Sequence, residues 1–147
     1  MKTNTILIGS DHAGFLQKEF LKSKLVEAGY DPIDVGCFSL ESVNYPDQAA
    51  EVSKGILDGK AENGILICGS GEGMVMAANR FHGIRAGLAW NTEVASLLKL
   101  HNDAQIICLG ARFTANEYAW QMVQVFLSAS FEGGKHANRI ALIDKLG

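Results

Sequence analysis

The segment around Cys68 places a thiol beside a run of glycines, in the order Ile67-Cys68-Gly69-Ser70-Gly71-Glu72-Gly73. Such a run can point several N–H groups into one concavity, and a nest of this kind in front of a helix binds anions. A thiol at its mouth lies in a positive potential that favours the thiolate. This pattern suits removal of a carbon-bound proton next to a carbonyl, because the N–H groups stabilise the enediolate oxygen. A buried cysteine that ends a strand before a flexible turn is the alternative.

The glycine spacing fits neither of the common nucleotide-binding loops. The run is G-x-G-x-G rather than G-x-G-x-x-G, and it follows the third predicted strand instead of the first. It also lacks the G-K-[ST] ending of a Walker loop.

Two further segments carry polar side chains suited to a sugar. Asp11 and His12 lie between Gly9 and Gly14, where they could hold a hydroxyl or a phosphate, although Asp11 could equally cap the next helix. His101, followed by Asn102, ends a predicted helix, where a histidine commonly interacts with the helix dipole. His101 could also move a proton, because an imidazole titrates near neutral pH.

The carboxyl-terminal segment places Lys135 and Arg139 four residues apart at a predicted helix start, after Gly133-Gly134. Cations at a helix amino terminus oppose the helix dipole, so a bound anion would explain them. A phosphate satisfies this arrangement, with Arg139 as a bidentate partner and Arg112 as a third cation. A solvated basic turn and a rim salt bridge are the alternatives.

The elements that must position these residues alternate along the chain. Short apolar runs predict five strands, at 5–8, 32–35, 64–68, 85–89 and 105–109. Longer amphipathic stretches predict helices at 14–28, 46–57, 74–80, 92–100, 116–129 and 135–146. In the first helix, Leu21, Leu25 and Val26 fall near one face and the Lys and Glu residues on the other.

This alternation predicts an α/β fold with a parallel sheet covered on both faces, in one domain over residues 1–147. The carboxyl ends of parallel strands meet at one edge, where ligands of such sheets bind. Asp11, Cys68 and Arg112 each follow or end a predicted strand, so we expect them at that edge.

Composition excludes several classes of protein. The chain has 147 residues, 48% of them hydrophobic and 20% charged, with a net charge of −3, which argues against a nucleic-acid surface. No apolar run reaches the ~18 residues that span a bilayer, and no secretory signal is evident. Three widely spaced cysteines fit neither a disulfide framework nor a zinc ribbon, so we expect a cytoplasmic protein with reduced thiols.

Seven motifs along the whole chain together form a specific pattern: Asp11-His12-Ala13-Gly14, Tyr45-Pro46-Asp47, Ile67-Cys68-Gly69-Ser70-Gly71 with Gly73, Gly83-Ile84-Arg85-Ala86, His101-Asn102-Asp103, Gly110-Ala111-Arg112, and Glu132-Gly133-Gly134 with His136 and Arg139. This pattern resembles the family of B-type ribose-5-phosphate isomerases and galactose-6-phosphate isomerase subunits. The resemblance implies a Rossmann-like three-layer α/β/α sandwich with a five-stranded parallel sheet. It also implies a homodimer or homotetramer with active sites at the subunit interface.

The resemblance also implies roles for single residues. Cys68 would move a proton between C2 and C1, and Ser70 would assist between O1 and O2. His101, with Asp11 nearby, would open the furanose ring. The remaining implied contacts are the amides of Gly69, Ser70, Gly71, Glu72 and Gly73 for the enediolate, Tyr45 and Asn102 for the sugar, and His12, Arg112, Lys135 and Arg139 for the phosphate.

Two positions depart from the family pattern. Lys135 stands where the family more often has arginine, so its grip on phosphate should be less directional. Glu72 stands where an uncharged residue is expected, and a carboxylate aimed inward would oppose the enediolate. We expect Glu72 to point outward while its N–H contributes to the anion hole. Some relatives use a carboxylate base from this loop, which leaves Glu72 as a minor alternative to Cys68.

The leading hypothesis is therefore interconversion of ribose 5-phosphate and ribulose 5-phosphate without metal or organic cofactor. A second hypothesis keeps the chemistry but changes the sugar to a hexose phosphate such as galactose 6-phosphate or allose 6-phosphate. A third is a non-catalytic, flavodoxin-like module that binds a phosphate ligand. A cysteine hydrolase is disfavoured because no residue that would orient the histidine is evident.

Overall fold

Five short apolar segments form strands, and helices connect and cover them in a computed structural model that describes residues 3–147. The strands are β1 Thr5–Ser10, β2 Asp31–Asp34, β3 Asn63–Cys68, β4 Ala86–Leu88 and β5 Ile106–Gly110. The helices are α1 Phe15–Glu27, α2 Tyr45–Leu57, α3 Glu72–Ala78, α4 Thr92–Leu100, α5 Asn116–Ser128 and α6 Lys135–Ile143.

The strands form one parallel sheet in the order β2-β1-β3-β5-β4. The central strand β3 is buried from Gly64 to Cys68 because helices cover both of its faces. This arrangement confirms the predicted Rossmann-like α/β/α sandwich with five parallel strands.

Side chains that alternate along the strands build two separate hydrophobic layers. One layer packs Ile8, Ile65 and Ile67 against side chains such as Leu21 of α1 and Phe126 of α5. The opposite layer contains the strand residues Leu7, Leu66, Cys68 and Cys108, and the helical residues Val52 and Met74. Cys68 therefore belongs to the layer covered by α2 and α3.

Helix α1 differs from the sequence prediction at two positions. Val26 is 62% exposed, because Leu21 and Leu25 occupy the inward stripe and Val26 lies about 100° further around the helix. Lys18, expected on the polar face, is fully buried, because its Nζ reaches Asp34 Oδ2 at 2.5 Å. Lys22 reaches the same oxygen at 2.7 Å, so β2 and α1 are joined by a partly buried ion-pair network.

Asp34 also holds the loop that follows β2. Its Oδ1 accepts a hydrogen bond from the Gly36 amide at 2.8 Å. The Gly36 carbonyl in turn accepts a hydrogen bond from the Ser10 amide at 2.8 Å. The ion-pair network therefore extends to the residue that precedes Asp11.

The carboxyl-terminal helix α6 is amphipathic, yet none of its residues is buried. Leu142 and Ile143 are about half exposed, although apolar side chains of this size normally pack against something. Among residues 3–147, no helix has the length and apolarity needed to cross a membrane.

Candidate active site

A cavity of about 470 Å³ opens at the carboxyl edge of the sheet. Its lining residues are Asp11, Tyr45, Cys68, Gly69, Ser70, Gly73, Arg112 and Phe113. Asp11 follows β1, Cys68 ends β3 and Arg112 follows β5, because parallel strands present their carboxyl ends at one edge. The structure thus brings together the three strand-end residues that the sequence placed there.

Cys68 forms part of the floor of this cavity. Its residue is only 5% exposed, but the side chain lines the cavity rather than being enclosed by apolar residues alone. The Gly71 amide donates a hydrogen bond to Cys68 Sγ at 3.2 Å. This contact fixes the sulfur beneath the glycine loop.

The glycine loop turns sharply where the sequence predicted. Gly71 has φ 82°, a left-handed conformation that favours glycine, and it leads directly into α3. A Cβ on Gly73 would lie 2.5 Å from Tyr45 Cζ, so this glycine lets the Tyr45 ring reach the loop. The Glu72 amide donates to Ser70 Oγ at 3.2 Å, which orients the serine hydroxyl.

Asp11 and His12 are held by local hydrogen bonds. Asp11 Oδ1 accepts from the Gly14 amide at 3.1 Å, so the carboxylate braces the turn before α1, while the helix itself is capped by Gly14. His12 Nδ1 accepts from the Val43 amide at 3.2 Å, which places the proton of the neutral ring on Nε2.

Arg112 supplies the cation at this edge. Its amide donates to the Gly69 carbonyl at 3.1 Å, which ties it to the glycine loop. Its guanidinium packs so closely on Gly69 that a Cβ there would lie 3.2 Å from Nη1. A phosphate in the cavity can therefore meet an arginine fork supported by the loop itself.

Cys108 lies in the same hydrophobic layer as Cys68 but does not line the cavity. Burial raises the pKa of the Cys108 thiol, and the nearby Cys68 and Glu72 raise it further. Cys108 is therefore held as a neutral core thiol, although it lies two residues from the cavity edge on β5.

A second polar cluster joins the end of α4 to the start of α6. The rings of His101 and His136 stack with centroids 4.2 Å apart. Glu132 Oε2 lies 3.9 Å from His101 Nε2 and 3.7 Å from His136 Nε2. Partial burial and the neighbouring His101 lower the pKa of His136, against the opposing effect of Glu132.

This cluster lies at the amino edge of the sheet, opposite the cavity. Arg85, which directly precedes β4, donates from Nε to the Asn102 carbonyl at 2.8 Å, and the Glu132 amide bonds to the Leu100 carbonyl. The six residues of β3 separate the two edges by roughly 17 Å. His101, Asn102, Lys135 and Arg139 therefore do not meet Cys68 within one chain.

The ribose/galactose isomerase family model matches residues 6–143 of this chain. This chain belongs to the ribose/galactose isomerase family. The chain is 40% identical over 138 residues to ribose-5-phosphate isomerase B of Escherichia coli, covering 94% of this chain and 93% of that protein.

Solved structures from the family superpose over nearly the whole chain. The ribose 5-phosphate isomerase of Thermotoga maritima is 46% identical, with a TM-score of 0.95 and coverage of 97% of this chain and 98% of that one. The ribose-5-phosphate isomerase B of Mycoplasma genitalium, solved with bound ribulose-5-phosphate, is 35% identical, with a TM-score of 0.92 and coverage of 96% and 94%.

Glu72, one of the two departures from the isomerase family pattern, has a local structural reason. It is exposed, is absent from the residues that line the cavity, and stands in the first turn of α3. A carboxylate there stabilises a helix through its dipole. Its amide bonds to Ser70 Oγ, so its part in an anion hole remains a prediction.

Three residues of these two regions of the isomerase fold were given no role from the sequence, although Glu132 and His136 stand in one of the family motifs. Phe113 lines the cavity and is 81% exposed, but one phenylalanine after Arg112 carries no distinctive sequence signal. Glu132 and His136 pair with His101. Their i, i+4 spacing could have indicated the contact between Glu132 and His136, but no local pattern indicates the contact of either residue with His101.

Proposed function

We propose that this chain is an aldose–ketose isomerase that interconverts D-ribose 5-phosphate and D-ribulose 5-phosphate through an enediolate, in the non-oxidative pentose phosphate pathway. The observation that carries the proposal is a thiol, an amide-rich glycine loop and an arginine converging on one cavity, in a chain of the ribose/galactose isomerase family. Proton transfer beside a carbonyl needs a base next to donors that stabilise the developing oxyanion.

The polar residues of the cavity each have a defined part in this reaction. Cys68 Sγ removes the proton from C2 of the open-chain aldose and returns it to C1. The amides of the loop from Gly69 to Gly73 stabilise the enediolate oxygen, those of Gly71 and Glu72 by exchanging Cys68 Sγ and Ser70 Oγ for the substrate. Ser70 passes a proton between O1 and O2. Asp11 and Tyr45 contact the sugar hydroxyls from the walls of the cavity.

The complete site is assembled from two copies of the chain. His101 protonates the ring oxygen to open the furanose, and Asn102 contacts the sugar, but both lie at the amino edge of their own sheet. A second copy that presents this edge to the cavity would bring His101 to the substrate. The separation of roughly 17 Å between the two edges of one sheet supports a shared site.

The phosphate site would likewise draw on both chains. His12 and Arg112 lie at the carboxyl edge, whereas Lys135 and Arg139 stand in the first two turns of the exposed α6. Cations there oppose the dipole of their own helix, so a phosphate from the neighbouring site would offset that cost.

Helix α6 supports a homodimer, with a homotetramer as a further assembly. Leu142 and Ile143 are left about half exposed within their own chain, and a partner would bury the rest of their surface. The three cysteines are unpaired, as in proteins of reducing compartments, and we propose a cytoplasmic location.

An isomerase assay on ribose 5-phosphate in D₂O tests the reaction and the base together. We expect ribulose 5-phosphate to form with solvent deuterium at C1, and Cys68→Ala to lower kcat by ~10²-fold or more. Cys108→Ala is the matched control, because it removes a thiol that does not line the cavity. Near-normal turnover in Cys68→Ala would remove Cys68 as the base, and phosphate-ligand binding without deuterium incorporation would favour a binding module.

The choice of sugar is a separate test. Comparing kcat/KM for ribose 5-phosphate, galactose 6-phosphate and allose 6-phosphate should give the highest value for the pentose. A higher value for either hexose phosphate would keep the chemistry but replace the substrate.

A further inference from the structure

The cluster of His101, Glu132 and His136 has the composition of a metal site. One ligand atom from each residue lies within 4.8 Å of the others. Two imidazoles and one carboxylate form a set that Zn²⁺ and related dications bind in proteins, with a fourth position open to water. His136 belongs to α6, a helix with no buried residue. Packing of the core therefore does not explain why the three groups lie together.

Two of the three ligand distances are already close to those of a bound ion, and the histidine rings must rotate to complete the site. Zinc bonds of about 2.0–2.2 Å place tetrahedral ligands about 3.3–3.5 Å apart. Glu132 Oε2 already lies 3.7 Å from His136 Nε2 and 3.9 Å from His101 Nε2. The side chains of His101 and Glu132 are 39% and 51% exposed, so the stacked rings can turn apart to aim both nitrogens at one ion.

Neighbouring charges make this site weaker than a closed structural zinc site. Lys135 and Arg139 lie near His136 and oppose a dication, whereas Glu132 favours one. Within residues 3–147 the cluster offers three protein ligands, and all of them are at least partly accessible. Such a site exchanges its ion with solvent and suits reversible control rather than folding.

We propose that His101, Glu132 and His136 bind Zn²⁺ or a similar transition-metal dication, and that the bound ion reversibly inhibits the enzyme. The inhibition rests on the proposed function, in which His101 donates a proton to the furanose oxygen. A metal on His101 Nε2 occupies the lone pair that would carry this proton, so ring opening stops while the ion is bound.

Direct binding of Co²⁺ to the metal-stripped full chain tests the site without any assay of activity. We expect the visible absorption of tetrahedral Co²⁺ without a sulfur-to-cobalt charge-transfer band, and the same spectrum in Cys68→Ala. His136→Gln and Glu132→Gln should weaken binding by ~10-fold or more. His82→Gln, which removes an exposed histidine from a different turn, should leave binding unchanged.

Three results would overturn the site: no binding, equal binding in His136→Gln, or a charge-transfer band that disappears in Cys68→Ala.

In the kinetic arm, Zn²⁺ should inhibit ribose 5-phosphate isomerisation by the wild type, with reversal by a chelator and ~10-fold weaker inhibition of His136→Gln. Binding without inhibition would refute the regulatory role alone. Binding in a chain that isomerises no sugar phosphate would refute the proposed function and leave the metal site intact.

Discussion

The two polar regions of this molecule are built in opposite ways. The cavity at the carboxyl edge rests on buried strand ends, and Cys68 at its floor is 5% exposed. The histidine cluster at the amino edge is attached to α6, a helix with no buried residue. One region is held by the core of its own chain, whereas the other is held by stacking of His101 on His136 and by a hydrogen bond from the Glu132 amide to the Leu100 carbonyl.

This difference indicates which parts of the site a single chain can position. Strands fix side chains at their ends because their register with neighbouring strands is set by a ladder of hydrogen bonds. An amphipathic helix without a packed face gains its position from whatever covers it. If the active site is shared between two copies, as proposed above, the amino-edge residues take their catalytic position only in the assembled protein.

Subunit complementation tests most directly whether one active site takes residues from the carboxyl edge of one chain and the amino edge of another. Cys68→Ala and His101→Asn should each lose ~10²-fold or more in kcat. If each site takes Cys68 from one chain and His101 from the other, a mixed dimer contains one intact site. Co-refolding equal amounts of the two variants should then restore about one quarter of wild-type activity, since half of the dimers are mixed.

The control for complementation is a mixture of Cys68→Ala with Cys68→Ser, which cannot form an intact site in any pairing. Activity in the first mixture that stays at the level of the separate variants, despite mixed dimers detected by two affinity tags, would mean that one chain supplies both residues.

Substituting Asp34 tests how much the ion-pair network between β2 and α1 contributes to the free energy of unfolding. Asp34→Ala removes the nearer of the two carboxylates that pair with the buried Lys18 in the described structure, leaving Glu19 at 3.4 Å, and releases the Gly36 amide. We expect a loss of about 3 kcal/mol in unfolding free energy, because breaking one side of a buried pair leaves a desolvated charge. Asp31→Ala, an exposed position on the same strand, should change stability by no more than about 0.5 kcal/mol in urea denaturation. Equal effects of the two substitutions would contradict this account.

The same carboxylate makes stability depend on acid pH. Burial alone would raise its pKa, but hydrogen bonds from Lys18, Lys22 and the Gly36 amide outweigh it and hold the pKa of Asp34 below its ordinary 3.8. A lowered folded-state pKa contributes stability that is complete above the unfolded value and is lost as pH falls through the folded one. The stability gap between wild type and Asp34→Ala should therefore shrink below about pH 4. Urea denaturation at pH 7, 5, 4 and 3 measures this gap, and a constant gap would refute the assigned cause.

The sequence predicted the sheet and the cavity well because both follow from local patterns. Short β-branched apolar runs such as Ile65-Leu66-Ile67, bounded by glycines, favour a buried strand, and parallel connections then bring Asp11, Cys68 and Arg112 to one edge. The glycine loop was readable because Gly71 takes a conformation that other residues avoid.

Contacts between residues far apart in the sequence could not be predicted from local patterns. The buried position of Lys18 depends on Asp34, which comes 16 positions later in the chain. Contact between His101 and His136 depends on how the loop between α5 and α6 directs α6 toward the end of α4. Periodicity describes one helix at a time and cannot predict a charge drawn inward by another element.

Substituting apolar residues of α6 tests whether this helix forms the dimer interface, and it leaves the histidine cluster at the amino edge unchanged. Replacing Leu142 and Ile143 with serine should weaken dimer formation by ~10-fold or more, because each buried leucine or isoleucine contributes about 1.5–3 kcal/mol. Sedimentation velocity across a concentration series measures the shift, and circular dichroism should stay unchanged because neither residue is buried. Val26→Ser, at a similarly exposed position on α1, should leave association as it is. An unchanged dimer in the double variant would place the interface elsewhere.

The smallest expected effect comes from Lys135, where the family more often has arginine. An ammonium meets phosphate as a point charge, whereas a guanidinium offers two parallel donors in a fixed plane. Lys135→Arg should therefore lower KM for ribose 5-phosphate by about threefold and leave kcat nearly unchanged, since phosphate binding serves substrate and transition state alike. Lys60→Arg, at an exposed position after α2, controls for charge-preserving substitution elsewhere. A change in kcat with constant KM would indicate instead that the cation at position 135 interacts with the substrate mainly in the transition state.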